Sequence, residues 1–346
     1  MSSSPLPSNT SRFGGCTLTG ALSVTTSVRD SISIVHGPKG CSHHNFSLLH
    51  TIALENDALS IPSVHASGLL EGDIIFGGEA ALERALAECA SSRPKCIFVL
   101  STCIAETIGD DVGAVCGMDW GVPVIAVPTA GFLGGVFQNG VLNALCALSD
   151  GTYPVPSDGT VNIIGEKNLE YEVEENYREV SRLLSALGLH VNLRFIHQIS
   201  YDEIPVLGRA SVNVLRDEDV APVGDHLKAR LGTPYVESFP VGLAGTIRFL
   251  ELVADACGVS SHPAVQDERA VQEDLRADFS DLAGARIVLP SLGVSAIDRG
   301  VVGEVATALD MKITSDGSCV PMPIPPPIGT GGIRRMLHRW RRMIHA

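Results

Sequence analysis

Ser31-Ile32-Ser33-Ile34-Val35-His36-Gly37-Pro38-Lys39-Gly40-Cys41 runs from a short Ile/Val stretch into a glycine-bounded turn that delivers a cysteine. A run this short and apolar has the character of a strand buried on both faces. Residues 95–100 and 123–127 repeat it, and residues 73–76 read as a further strand. Helical patterns lie between these runs, such as residues 79–90, which Gly77-Gly78 introduces with a tight turn. Short buried strands alternating with helices predict an α/β chain of Rossmann-like, doubly wound parallel sheets.

The pattern restarts after the Pro- and Gly-containing loop at residues 150–159. Residues 161–165 read as a strand, 171–187 as a charged amphipathic helix closed by Gly188, and 190–196 as a second strand. Phe239-Pro240-Val241-Gly242-Leu243-Ala244-Gly245-Thr246 then leads into a helix through Cys257. A third, shorter set comprises strand 285–290, helix 299–309 and strand 311–314. It stops at Pro321-Met322-Pro323-Ile324-Pro325-Pro326-Pro327, through which neither helix nor central strand continues.

Length and composition agree with this division. The chain has 346 residues, enough for two or three domains, with 45% hydrophobic residues, 5% aromatics and 35 glycines. The expected layout is a mobile Ser/Pro-rich tail (1–12), a first Rossmann-like domain (13–157), a second (158–265), a truncated third (266–320), and a Pro-rich segment with a basic C-terminal helix (321–346). A net charge of −14 argues against nucleic acid as a partner. The local exception is the basic run at residues 334–342, read as a solvated helix or a surface for an acidic partner, with a cover over the substrate pocket as the alternative. No apolar run reaches the roughly 18 residues of a membrane span. Nine cysteines with no signal peptide suggest a reducing, cytoplasmic setting.

Three of the cysteines stand in unusual surroundings. Cys41 and Cys103 each follow a strand, at the carboxyl edge where open α/β sheets collect ligands. Cys16, in Gly14-Gly15-Cys16-Thr17-Leu18-Thr19-Gly20, comes from a segment able to fold over that edge. Glycines at 14, 15, 37 and 40 let backbone approach a bulky inorganic group, and their amides suit its sulfides. Thiolates gathered this way suit an iron–sulfur cluster, one ligand short of a 4Fe-4S site. The fourth would come from a second copy of the chain, an oxygen ligand or another cysteine. The plain alternative is that all three are small buried apolar residues, as free cysteines usually are. That reading is applied to Cys89, Cys96, Cys116, Cys146 and Cys257, while Cys319 beside the proline run stays open. His43, His44 and His65 are candidate proton donors or substrate contacts, against histidines satisfied by backbone. Glu106 and Asp110 read as helix caps or proton relays. Gly242–Gly245 reads as a structural turn or as a carboxylate site at a helix start.

These cysteine contexts, 25 and 62 positions apart, resemble the cluster-binding segments of the nitrogenase component 1 family. Gly37-Pro38-Lys39-Gly40-Cys41 is the most specific part, with Ser101-Thr102-Cys103 followed by Glu106, Gly109, Asp110 and Asp111. The likeness covers roughly residues 13–260. Within the family, Cys41-Ser42-His43-His44-Asn45-Phe46-Ser47-Leu48-Leu49-His50 is similar to the Ni-sirohydrochlorin a,c-diamide reductive cyclase branch, which makes coenzyme F430 for methanogenesis. The resemblance implies that Cys16, Cys41 and Cys103 hold a 4Fe-4S cluster where two copies of the chain meet as a homodimer. It also implies an iron-protein-like ATPase reductase as partner, which uses the ATP and Mg. The chain's lack of a Gly-x-x-x-x-Gly-Lys-Ser/Thr loop agrees with that division of labour. The implied substrate is Ni-sirohydrochlorin a,c-diamide, reduced and closed to a lactam. The alternatives are another nitrogenase-like reductase, acting on a tetrapyrrole or a sulfur compound, or a metallocluster assembly scaffold. No clear counterpart of the cysteine and histidine that hold the nitrogenase active-site cofactor is found, which favours a substrate taken up from outside.

Overall fold

The computed structural model describes residues 15–56, 62–132, 135–166, 171–289, 296–322 and 325–345; the tail expected over residues 1–12 lies outside them. The first sheet contains β1 (Ser31–His36), β2 (Val64–Ala66), β3 (Cys96–Ser101) and β4 (Val124–Pro128), all parallel in the order β2-β1-β3-β4. β1 and β3 are buried throughout. Val35, Phe98, Leu100 and Val127 enter one core, while Ile32, Ile34, Ile97 and Val99 enter another on the opposite face. That two-sided burial is why β3 is an almost unbroken apolar run and why the polar residues of β1, Ser31, Ser33 and His36, are all hydrogen-bonded. His36 pairs with Ser101, so β1 and β3 end level with each other.

Helix α1 (Thr17–Thr25) precedes β1 and has every residue buried. It packs against α7 (Phe137–Ser149) at backbone distance: a Cβ on Gly20 would lie 1.9 Å from the Phe137 carbonyl oxygen, and one on Gly140 would lie 1.8 Å from that of Thr17. Around the same sheet lie α2 (Lys39–Glu55), α3 (Glu71–Phe76), α4 (Glu79–Ser91), α5 (Cys103–Ile108) and α6 (Val112–Cys116).

The second sheet contains β5 (Val161–Ile164), β6 (Val191–Phe195), β7 (Val212–Leu215) and β8 (Tyr235–Val236), parallel in the order β6-β5-β7-β8. Its Ile164, Leu193, Phe195 and Leu215 join the core that holds Val35 and Phe98, so the first two sheets share one interior. Helices α8 (Val173–Ala186), α10 (Gly242–Cys257) and α11 (His262–Asp278) form a second core with its other face, and α9 (Ala221–Leu231) supplies Val223 and Leu227 to the shared one. The third sheet contains β9 (Arg286–Val288), β10 (Lys312–Ile313) and β11 (Ser318–Cys319), parallel in the order β10-β9-β11, with α12 (Ala296–Ala308) and α13 (Gly329–Ile344) beside it. The expected Rossmann-like α/β architecture of parallel sheets is present. No helix among the described residues is long and apolar enough to cross a membrane.

One local expectation is corrected and another is narrowed. Residues 73–76 belong to helix α3, not to a strand. Asp73 accepts from the Leu70 amide at 2.9 Å and starts the helix, and the apolar run is not buried: Ile75 is 72% exposed and Phe76 88%. The edge strand is β2 instead, three residues long and too short to show a period. The basic C-terminal run does form a helix with a solvent-facing basic side, but most of its arginines are already paired within the chain. Arg334 pairs with Asp278, Arg335 and Arg339 with Glu172, and Arg341 with Asp281, while Ile333, Met336, Leu337 and Trp340 on the opposite stripe are buried. Exposed pairs of this kind add at most about 1 kcal/mol each, so the apolar stripe is the larger anchor.

Candidate functional site

The turn between α1 and β1 is short. Ser31 Oγ donates to the Val28 carbonyl at 2.9 Å, and Ser33 Oγ donates to Thr25 Oγ1 at 2.9 Å. α1 therefore runs back along β1, and Cys16 at its N-cap stands toward the carboxyl edge of the sheet. Cys41 sits in the first turn of α2, five residues beyond the end of β1. Cys103 is the first residue of α5, two beyond the end of β3. The two turns are joined directly. The Thr102 amide and hydroxyl both donate to the His36 carbonyl, at 3.1 and 2.9 Å. A Cβ on Gly37 would lie 2.2 Å from Thr102 Oγ1, so only glycine permits this approach.

Electrostatics report the same convergence. Burial pushes the Cys41 thiol above its usual range, and negative charge on Cys16 and on Cys103 pushes it further. Thiolates that repel one another in this way are relieved by a cationic centre. Cys16 is exposed, and Cys41 and Cys103 are half-buried, so the group is open on one side. Two buried polar atoms next to these cysteines lack a hydrogen-bond partner among the described residues: Thr17 Oγ1, beside Cys16, and Asn45 Oδ1, one turn past Cys41. No three His, Cys, Asp or Glu side chains among the described residues close around a single metal ion. The donor set is thus too open for a mononuclear zinc site, and its soft thiolates fit a larger iron–sulfur group.

The histidine candidates are placed differently. His43 and His44 are exposed on α2 directly after Cys41. His65 lies on β2, paired in register with Ile34, and it too is exposed. Cys89, Cys96 and Cys116 are buried, and burial pushes all three thiols up, Cys89 and Cys116 to about 11. Cys146 and Cys257 are half-buried against the cores, and Cys319 is exposed on β11. The helix start at Gly242 is already filled: Glu304 of α12 accepts from the Leu243 amide at 3.0 Å and the Ala244 amide at 2.6 Å, the structural arrangement. Glu106 accepts from Ser101 Oγ, while Asp110 accepts from Gly78, the N-cap of a different helix, at 2.7 Å.

Sequence reasoning gave no role to the side chains of His36 and Ser67. His36 Nε2 lies 2.9 Å from Asp110 Oδ2, and Nδ1 lies 2.9 Å from Ser67 Oγ, with the ring fully buried. A histidine closing a strand that is buried on both faces was the available signal.

Comparison with known proteins places the chain. The profile described as nitrogenase component 1 type oxidoreductase matches residues 16–300. The nitrogenase iron-molybdenum cofactor biosynthesis protein NifE of Nostoc sp. is 28% identical over 304 residues, covering 82% of this chain and 61% of the relative. NifE of Clostridium pasteurianum is 31% identical over 251 residues, covering 70% and 54%. The nitrogenase molybdenum-iron protein alpha chain of Methanothermobacter thermautotrophicus is 27% identical over 246 residues, covering 64% and 51%. The chain thus spans between half and two thirds of the length of these relatives. Nitrogenase Cp1 at pH 5 superposes with a TM-score of 0.67 at 20% identity, over 87% of this chain and 63% of that one, a likeness of fold. This chain belongs to the nitrogenase component 1 type oxidoreductase family.

Proposed function

We propose that this protein is the catalytic component of an ATP-dependent reductive cyclase, acting on Ni-sirohydrochlorin a,c-diamide or a closely related tetrapyrrole. The observation that carries this reading is the placement of Cys16, Cys41 and Cys103 at helix starts on one sheet edge, with Cys16 and Cys103 both within electrostatic reach of Cys41. These three thiolates would hold the 4Fe-4S cluster, with the remaining coordination supplied across a homodimer. When bound, the cluster supplies one-electron transfer. ATP and Mg are used by an iron-protein-like ATPase that acts as the reductase.

The chain's own residues have three tasks. The cysteine turns fix the metal group at the sheet edge and keep one side open. The close Gly37–Thr102 contact holds two of those turns in register. His43, His44 and His65, exposed and uncommitted to the cores, are the proposed proton donors to the ring, a role suited to imidazole near neutral pH.

The test is turnover under anaerobic conditions with Ni-sirohydrochlorin a,c-diamide, the ATPase partner, ATP and a reductant, read by the mass of the tetrapyrrole. A product altered by added hydrogen and ring closure supports the cyclase. An unaltered tetrapyrrole beside a fully loaded, reducible cluster would reject it. A second reading is a metallocluster assembly scaffold, favoured by the likeness to NifE proteins at 28–31% identity. A scaffold would release a metal cluster to an acceptor protein and leave the tetrapyrrole unchanged.

A further inference from the structure

His36 is tied to both ends of the helix that carries Cys103. At the start of α5, its carbonyl accepts from the Thr102 amide and hydroxyl. Beyond the end of α5, its ring nitrogen Nε2 meets Asp110 Oδ2 at 2.9 Å. Five residues after His36 stands Cys41. One buried residue therefore lies between the two cysteine turns and touches the frame of both.

The hydrogen bonds around it form a continuous chain that converges on the Asp110 carboxylate, entered by an amide at each end. The Gly37 amide donates to Ser67 Oγ at 3.0 Å. Ser67 Oγ–H then donates to His36 Nδ1, and His36 Nε2–H donates to Asp110 Oδ2. Asp110 Oδ1 accepts from the Gly78 amide at 2.7 Å. Every group in the chain has a partner in this arrangement, the ring-nitrogen roles being assigned from the network. The His36 side chain is fully buried and that of Asp110 is 2% exposed. A buried carboxylate stripped of one donor is destabilised, so the pair resists displacement. α5 spans only six residues and among them buries only Ala105, so it has little packing of its own to hold Cys103.

We propose that the buried His36–Asp110 pair, completed by Ser67, is a positioning strut that fixes α5 and sets the spacing of Cys103 from Cys41. This rests on the reading of the three cysteines as one metal site, but the strut itself is testable without metal. In the iron-free full-length protein, the rate of Cys103 alkylation by iodoacetamide is followed by peptide mass spectrometry. Asp110→Ala should raise it at least fivefold and leave Cys16 unchanged. Asp110→Asn should stay near the parent rate, because its amide keeps both bonds by switching the His36 tautomer. Reconstituted with iron and sulfide, Asp110→Ala should load several-fold less iron and change the electron paramagnetic resonance line shape, and Asp110→Asn should do neither. If Asp110→Ala fails to fold, Ser67→Ala, at a half-exposed site, is expected to move the labelling rate in the same direction. An unchanged Cys103 rate in a folded Asp110→Ala or Ser67→Ala protein overturns the strut, as does Asp110→Asn behaving like Asp110→Ala. A parent protein that binds no iron overturns the reading of the metal site and leaves the labelling result to judge the strut.

Discussion

Cys41 is the thiol whose surroundings report on the other two, since burial and the charges of Cys16 and Cys103 all act on it. Replacing Cys41, Cys16 or Cys103 by serine removes a soft donor that iron prefers. Iron bound after anaerobic reconstitution should fall at least tenfold in each variant, because a site shared by two copies loses two of its six thiolates, one from each copy, and with them more than about 1.4 kcal/mol of binding. Cys146→Ser, in a half-buried thiol packed on the core, should retain parent loading, as iron and sulfide analysis would show. The sequence marks these three proposed positions, Cys16 and Cys41 by the glycines before them and Cys103 by the acidic motif after it. It does not mark His36, because a histidine at the end of a buried strand looks the same whether or not a carboxylate awaits it. A second residue makes a pH prediction. Burial, then the neighbouring Arg194 guanidinium, lowers His197 from 6.5 to about 4, although Glu174 at 3.1 Å partly opposes this. The folded state therefore resists protonation where the unfolded chain accepts it. The stability is fully present above pH 6.5 and is lost progressively as the pH falls toward 4. Between pH 6.5 and 5 the loss should be about 1.5 kcal/mol. Urea unfolding should show this steepness reduced in His197→Gln; equal slopes in both proteins would contradict it.

At the scale of elements, the contact of α1 with α7 determines where Cys16 stands. Glycines at 20 and 140 let the two backbones touch, and neither position has room for a methyl group. Gly140→Ala should lower stability by about 2–3 kcal/mol, the usual cost of overpacking, and should reduce iron loading because α1 must move. Thermal unfolding and iron analysis check both effects, and an unperturbed melting temperature would contradict the packing account. The strands that were read, β1, β3, β4, β5, β6, β9 and β10, are those buried on both faces or flanked by plain turns. Residues 73–76 misled because Ile74, Ile75 and Phe76 carry strand-like chemistry on a helix that buries none of them. β2, at three residues, and β8, at two, were invisible because a period needs more positions than they have. The basic helix α13 was legible as a helix, yet its acidic partners Glu172, Asp278 and Asp281 come from elsewhere in the chain, where spacing gives no hint of them.

At the scale of the whole molecule, alternation of buried strand and helix was enough to give parallel α/β sheets. It did not reveal that the first two sheets share a core, since that depends on which faces of β1, β3, β5 and β7 meet. The shared core holds the first sheet, and with it the cysteine edge, as part of a larger rigid body. One side of that edge stays open, as the proposed metal site shared between two chains would require. The most direct test is anaerobic purification followed by iron and sulfide analysis and electron paramagnetic resonance of the dithionite-reduced protein. The account predicts a dimer carrying one 4Fe-4S cluster, half a cluster per chain, whose signal disappears in the Cys41→Ser protein. An oxygen-free preparation that folds normally but holds no iron, before or after reconstitution, would contradict it.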